Sequence, residues 1–580
     1  MRRDPHSYAD DSQVETASIA LRATVDFATR TLAGDVQLVF ATPGGGPLDL
    51  DTRDLTIERV VGPAGELPFT LHPAEPVLGA RLAIELPAAT PWVRVHYRTS
   101  PDAAALQWLE PAQTAGGVHP FLFSQCQAIH ARSVVPLQDT PRIRIRYQAE
   151  LTIPRALTAV MAARRLDVTP AGDHAIARFE MPQPIPPYLF ALAVGDLAAR
   201  DVGPRSQVWA EPAMLERAAR EFADVERMIA AAEELFGPYD WERFDLLTMP
   251  PSFPYGGMEN PRLTFVTPTV IAGDKSLVSV IVHELAHSWT GNLVTNANAE
   301  HFWLNEGFTV YAERRLLEVL YGADFAALHA AIGRSALDEA FARFRDRPEL
   351  THLRTRLAGV DPDEVFSLVP YEKGYSFLCA LEQAAGRDAF TAWLRSYLRD
   401  FRFRSLATED FVAHLEAALP GALARVDARA WLDGPGLPPS APSPRSARLS
   451  AIEALGTALP PADASAWSPA EWQLYLARMP RPAPAETLRA LDTRLTASTN
   501  FEVLVAWLQL ALESGYHAVV PRASEVLASV GRMKYLRPLY VALAKDPATR
   551  TTARELFARS SASYHPIARQ VIEGVLSARS

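Results

Sequence analysis

Apolar and polar positions alternate along the first third of the chain. Ile19, Leu21, Ala23, Val25 and Phe27 fall on every second position, as do Val36, Leu38 and Phe40, then Val93, Val95 and Tyr97. Ile143, Ile145 and Tyr147 alternate with arginines. A period of two puts neighbouring side chains on opposite faces of a strand, so residues 1–197 are expected to form a β-sheet domain with one wet face. The prolines of MPQPIPPYLF (181–190) mark its end region. From 198 to 433 the period lengthens, and helical spacing begins near Glu211 in EPAMLERAAREFADVERMIAAAEELFG (211–237). GPGLPPSAPSPRS (434–446) reads as a Pro-rich linker. The remainder, 447–580, is helical in pattern. In NFEVLVAWLQLALESG (500–515), Asn500 can cap the helix and Gly515 can close it. Leu504, Trp507, Leu508, Ala511 and Leu512 form its apolar face. Several such segments without a strict repeat predict a stack of helix pairs, as in α-solenoids. The expected class is α+β multidomain: a β domain, a mainly helical middle domain and a helical C-terminal domain.

Length and composition agree with several domains. At 580 residues the chain exceeds one ordinary domain, and 48% hydrophobic with 21% charged residues is globular composition. A formal charge of -10 with no basic stripe argues against nucleic acid as a partner. No run of about eighteen apolar residues occurs, so no membrane span is expected. The opening MRRDPHSYADDSQVETASIALRA lacks an apolar run after its arginines and does not read as a signal peptide. Cys126 and Cys379, the two cysteines, do not suggest a disulfide framework. The expectation is a cytoplasmic protein, with a monomer favoured. Only four lysines occur, Lys275, Lys373, Lys534 and Lys545.

The stretch with most chemistry is IVHELAHSWTGNLV (281–294). His283 and His287 stand four apart, one turn along one helix face, so both imidazoles can reach one metal ion. Glu284 sits beside them as a candidate general base. Val278, Ile281, Val282, Leu285, Ala286 and Trp289 suit a buried helix. The motif alone leaves an ordinary polar stripe open. A catalytic zinc site usually has three protein ligands, and after His287 come eighteen residues and then Glu306 in HFWLNEGFTVYAERR (301–315), a second helical pattern. Glu306 is assigned as the third ligand. Glu313, two turns further on the same face, is the candidate carboxylate for orienting a ligand histidine.

These motifs resemble the gluzincin aminopeptidases of the M1 family, whose zinc signature is HExxH, an eighteen-residue gap and Glu. PYGGMENP (254–261) contains that family's GxMEN loop as Gly256, Gly257, Met258, Glu259 and Asn260. The paired glycines suit a tight edge where a substrate backbone approaches closely. Within the family, FSQCQAIHAR (123–132), PPSFPYGGMENPRLTFVTPT (250–269), VPYEKG (369–374), PGLPP (435–439) and GRMKYLRP (531–538) resemble the leukotriene A4 hydrolase branch and its bacterial aminopeptidase relatives.

The resemblance implies a thermolysin-like catalytic domain, one Zn2+ per chain and short peptide substrates with a free N-terminus. It implies Glu259 as the ligand of the substrate's α-amino group and Tyr371 as the catalytic tyrosine. Gln125 would contribute at the amino-group subsite, with Gln127 on the same side if this stretch is a strand. Arg532 and Lys534 match a carboxylate-binding pair, which a loop or helix start would let reach the cleft. Asp363 matches an acidic pocket residue able to attract a basic first side chain. Phe366 departs from the branch, where leukotriene A4 hydrolase has tyrosine. That loss of a phenol weakens the alternative of lipid epoxide hydrolysis, whether as sole or second activity.

Overall fold

The structure, a computed structural model, describes residues 3–577. Met1 and Arg2, at the head of the stretch read as lacking a signal peptide, lie outside it, as do positions 578–580. Long strands Thr16–Asp26, Thr31–Thr52, Ala80–Arg98 and Ile145–Pro154 form the middle of a nine-stranded sheet. Its neighbours run antiparallel, apart from Thr16–Asp26 and Ile145–Pro154. Those two pair in parallel, with Ile19 opposite Tyr147 and Leu21 opposite Ala149. The alternating apolar residues of the sequence pattern all face one core, with Phe27 half-buried at its margin. A four-stranded sheet that includes Phe121–Ser124 contributes to the same core. Each fully buried Leu, Val or Phe there contributes about 1.5–3 kcal/mol.

One polar position of this pattern is not simply wet. Arg144 alternates with Ile143 and Ile145, yet its guanidinium donates to the carbonyls of Asn292, Leu293 and Arg404 in the middle of the chain. Buried donors with no carboxylate beside them lower its pKa from the usual arginine value, and the carbonyls satisfy the hydrogens instead. The residue ties the β domain to the segment that follows the HELAH helix.

The middle of the chain opens on a five-stranded sheet that the hydrophobic pattern does not disclose. Its strands are short: Ala198–Gly203, Ser206–Ala210, Asp245–Thr248, Leu263–Val266 and, at the edge, Gly257–Met258. Runs of two to six residues are too brief to show a period, and two pairings are parallel and buried, which removes the alternation. Helices follow. Glu211 precedes the helix Pro212–Glu221, in line with the change of period. Two helices matter most for the site: Ser279–Ala286 and Trp303–Tyr321, both lined by one aromatic-rich core.

Residues 434–446 contain no helix or strand. Beyond them the helices alternate between two layers. Pro469–Arg478, Phe501–Glu513, Met533–Lys545 and Pro566–Ser577 pack in succession, each on the next. Asn500 caps Phe501–Glu513 by accepting from the backbone of Glu502 and Val503. Gly515 follows that helix with φ 71°, the left-handed turn that glycine adopts without strain. No described helix is long and apolar enough to cross a membrane.

Candidate active site

The helix Ser279–Ala286 is short, and His287 stands at its C-terminal cap in helical conformation. His283 and His287 therefore still lie one turn apart. The chain then turns sharply at Gly291, whose φ is 104°. A Cβ there would stand 2.3 Å from Asn305 Oδ1 and 2.6 Å from His287 Nδ1, so only glycine fits. Thr309 Oγ1 on the helix Trp303–Tyr321 donates to Thr290 O at 2.7 Å, which sets that helix against the first. Glu306, in its first turn, is thereby brought to the histidines.

Three atoms converge. His283 Nε2 and His287 Nε2 are 3.2 Å apart, and Glu306 Oε2 lies 3.6 and 3.5 Å from them. A tetrahedral ion with bonds of about 2.0–2.1 Å needs ligand atoms roughly 3.3 Å apart. The outer nitrogens are both engaged: His283 Nδ1 with Glu313 Oε2 at 3.0 Å and His287 Nδ1 with Thr290 O at 3.1 Å. Those acceptors hold the protons on Nδ1 and leave Nε2 bare toward the centre. Glu306 Oε2 is buried without a hydrogen-bond partner, which costs free energy unless a cation meets it. The set fits zinc. Glu259, Glu284 and His287 form a second close group. It shares His287 and has only carboxylates besides, so it belongs to the same site rather than to another ion.

The centre is rich in carboxylates. Burial, with Glu306 and Glu284 nearby, raises Glu259 well above the usual carboxylate range. Burial lifts Glu284 to about 8, and Glu306 and Glu313 add to the lift against the pull of His283. Burial lowers His287 well below its usual value, as a ligand requires. For His283, burial pulls down, but the carboxylates of Glu306 and Glu313 beside it outweigh that and raise it. A divalent cation held by His283, His287 and Glu306 would supply the positive charge that these buried carboxylates lack.

The GGMEN loop packs directly on Glu284. Gly257–Met258 pairs antiparallel with Leu263–Val266, Gly257 opposite Val266. A Cβ on Gly257 would lie 2.3 Å from Glu284 Oε1, and one on Gly256 would lie 2.7 Å from Arg532 Nη2. Both glycines leave room for functional side chains. Asn292 Nδ2 donates to Glu259 O at 2.6 Å and anchors the loop. The strand carrying FSQCQ stops at Ser124, so Gln125 and Gln127 do not share a strand face. An irregular turn still brings both to the loop: Gln125 Nε2 donates to Met258 Sδ at 3.1 Å, and Gln127 Nε2 to Glu259 Oε1 at 3.4 Å.

Tyr371 lies in a wide helical turn, Val369–Lys373. Its ring runs nearly parallel to His283 at 6.3 Å. Burial, with Glu306 beside it, raises its phenol well above the usual value. Three features absent from the sequence reading hold this turn. Glu372 makes a bidentate pair with Arg314 at 2.6 and 2.7 Å. Lys373 Nζ donates to Thr351 O and Gly434 O, at 2.8 and 2.6 Å. Gly307 and Gly374 meet backbone to backbone, with a Cβ on Gly307 falling 2.8 Å from Gly374 Cα. Lys373 thus ties the Tyr371 turn to two backbone carbonyls. Arg314 and Glu372 carried no signal beyond their neighbours Glu313 and Tyr371.

Asp363 reaches the site's margin, but not as a free charge. Its Oδ2 lies 2.7 Å from His130 Nε2. Phe366 is 6.1 Å from the Tyr371 ring and partly exposed. Arg532 and Lys534 stand at the start of the helix Met533–Lys545. Arg532 is buried beside the GGMEN loop, whereas Lys534 is half exposed. Both bond to Glu502, which sequence reasoning did not single out.

The geometry is that of a metal-dependent hydrolase, with an acidic recess beside the candidate ligand set. Residues 16–189 match the Peptidase M1 N-terminal domain, 220–431 the Peptidase family M1 domain, and 467–576 the C-terminal domain of leukotriene A4 hydrolase. Leukotriene A-4 hydrolase of Xenopus laevis is 39% identical over 98% of both chains. Leucine aminopeptidase 2 of Emericella nidulans is 41% identical over 83% of this chain and 81% of its own. The structure of yeast LTA4 hydrolase in complex with bestatin superposes with a TM-score of 0.93, at 32% identity, over 100% of this chain and 98% of that one. The chain belongs to peptidase family M1, the zinc aminopeptidases, in the three-domain form that ends in the leukotriene A4 hydrolase C-terminal domain.

Proposed function

We propose that this aminopeptidase removes the first residue of short peptides with free ends, using one zinc ion held by His283, His287 and Glu306. The observation that carries the reading is the convergence of three ligand atoms, one of them an unbonded buried carboxylate oxygen. Zinc, when bound, polarises the scissile carbonyl and lowers the pKa of water. Glu284 takes the proton of the attacking water and passes it to the leaving amine. Glu313 keeps the His283 ring aimed through the bond at Nδ1. Tyr371 keeps its proton, because its phenol is raised, and donates it as a hydrogen bond to the oxyanion. The edge Gly257–Met258 accepts the substrate backbone as an added strand.

Glu259 binds the substrate ammonium. Burial, with Glu306 and Glu284 nearby, raises its carboxyl, and an ammonium beside it would offset that cost. Gln125 Oε1, buried and unbonded, and Gln127 complete the subsite. Asp363, whose Oδ2 lies 2.7 Å from His130 Nε2, attracts a basic first side chain. Arg532 and Lys534 bind the far carboxylate. We place the enzyme in the cytoplasm, as a monomer. A second reading, lipid epoxide hydrolysis, is favoured by the 39% identity to a leukotriene A-4 hydrolase, but Phe366 offers no phenol at the pocket wall.

The test is release of the first residue from amino-acid anilides and tripeptides, with and without a chelator, beside Glu284→Gln. Chelator-sensitive release that the variant abolishes is expected. Zinc-loaded protein that turns over no peptide would refute the peptidase reading, and lipid epoxides would then be assayed.

A further inference from the structure

The helix Phe501–Glu513 begins with an acid that has an unusual set of neighbours. Glu502 is buried, and its carboxylate meets three donors. Lys534 Nζ lies 2.6 Å from Oε2; Arg532 Nη1 lies 3.3 Å and Tyr535 OH 3.0 Å from Oε1. Tyr535 in turn accepts from Arg532 Nη1 at 2.7 Å, and its ring lies under the guanidinium at 4.9 Å. Thr269 Oγ1 takes a longer bond from the same nitrogen, at 3.4 Å. The bonds that Arg532 makes here all fall on Nη1. Nη2 is the end directed at the GGMEN loop, close to the position a Cβ of Gly256 would take. The guanidinium is therefore gripped by one end and presented by the other.

The grip spans a domain seam. Gly531 N and Met533 N donate to Pro251 O and Pro254 O at 2.7 and 2.9 Å, so the GRMK stretch is bonded to the backbone that leads into the loop. Asn500, which caps the Glu502 helix, also donates to Ser276 Oγ at 3.0 Å. Among these three groups, two cations and one buried anion leave one net positive charge, with Glu284 acting on Arg532 from outside the cluster. A single carboxylate neutralises it. A second negative charge would have no partner here.

We propose that Glu502 is the positioning residue that aims Arg532 and limits the Arg532–Lys534 pair to one unit of positive charge, so that the cleft selects peptides ending in a single free carboxylate. The proposal rests on the reading of that pair as the carboxylate subsite. Removing the charge of Glu502 frees Lys534 to swing into water and lets the guanidinium leave its aim. Bonds of this charge-assisted kind are strong and directional, so their loss weakens carboxylate binding by about tenfold.

The experiment uses zinc-loaded full-length protein with a tripeptide acid and the same tripeptide as its C-terminal amide. Glu502→Gln is expected to raise KM for the acid about tenfold, in KM rather than kcat, and to lower the acid-to-amide ratio of kcat/KM by the same factor. An unchanged ratio, or an equal fall on both substrates, overturns the proposal. Arg532→Met separates it from the reading beneath it. If that variant discriminates acid from amide as strongly as the parent, the carboxylate subsite itself is wrong. If Arg532→Met lowers the ratio and Glu502→Gln does not, Glu502 alone is excluded. Should Glu502→Gln fail to fold, Glu502→Asp, one methylene short of reaching both cations, carries the same comparison with the same expected direction.

Discussion

Replacing Gly257 with alanine adds one methyl group at the most sensitive contact of the site. The new Cβ would lie 2.3 Å from Glu284 Oε1, 2.4 Å from Cδ and 2.6 Å from Cγ. Ordinary contact begins near 3.4 Å, so the carboxylate must withdraw by about 1 Å, a displacement of the base that costs roughly 100-fold in rate. The backbone conformation at Gly257 is not left-handed, so alanine is tolerated by the strand itself. The metal ligands are on other elements and keep their partners. The expectation is therefore a kcat about 100-fold lower on a leucine anilide, with full zinc content and an unchanged melting temperature. A Gly257→Ala enzyme that holds zinc and turns over within twofold of the parent would show that Glu284 is not the base, or that it does not act from this position.

Three further outcomes follow from the same geometry. Glu313→Gln removes the carboxylate behind His283 Nδ1 and should weaken zinc binding about 10–100-fold, read by chelator competition; unchanged affinity would mean that Glu313 does not orient the ligand. Gly307→Ala forces a methyl between two helices, 2.8 Å from Gly374 Cα and 3.0 Å from Pro370 O, and should cost about 1–3 kcal/mol together with a lower kcat as the Tyr371 turn is pushed away. Glu502 gives a pH signature: burial raises its carboxyl, but Lys534 and Arg532 outweigh this and hold it at about 2, against an ordinary 4.5. Its stabilisation is complete above 4.5 and is lost as pH falls toward 2, so acid should lower the melting temperature of the parent more steeply than that of Glu502→Gln in that window.

Much of the site was legible because its signals are local. Helix geometry fixes His283 and His287 one turn apart whatever surrounds them, and it does the same for Glu306 and Glu313. Capping is local too, as Asn500 and Gly515 illustrate. Matched motifs supplied Glu259, Tyr371, Arg532 and Lys534 as candidates. Where the reading leaned on an assumed strand, at Gln125 and Gln127, the chain had already left the sheet at Ser124. Short strands of the middle sheet escaped notice because two to six residues show no period.

The sequence by itself determined the long strands and helices, their order and the kinds of side chain that carry the chemistry, since propensity, period and spacing act within a few residues. Only the tertiary structure decided which distant residues would share a volume. It brought Arg314 to Glu372, His130 to Asp363 and Glu502 to Arg532, pairs separated by 30 to 233 positions. It also turned Arg144 from a wet-face residue into a tie between domains, and made Gly256, Gly257 and Gly307 necessary by what lies against them. The physical reason is that burial sets the strength of a charge and close packing sets the room for an atom. Both depend on neighbours that the order of residues alone does not name.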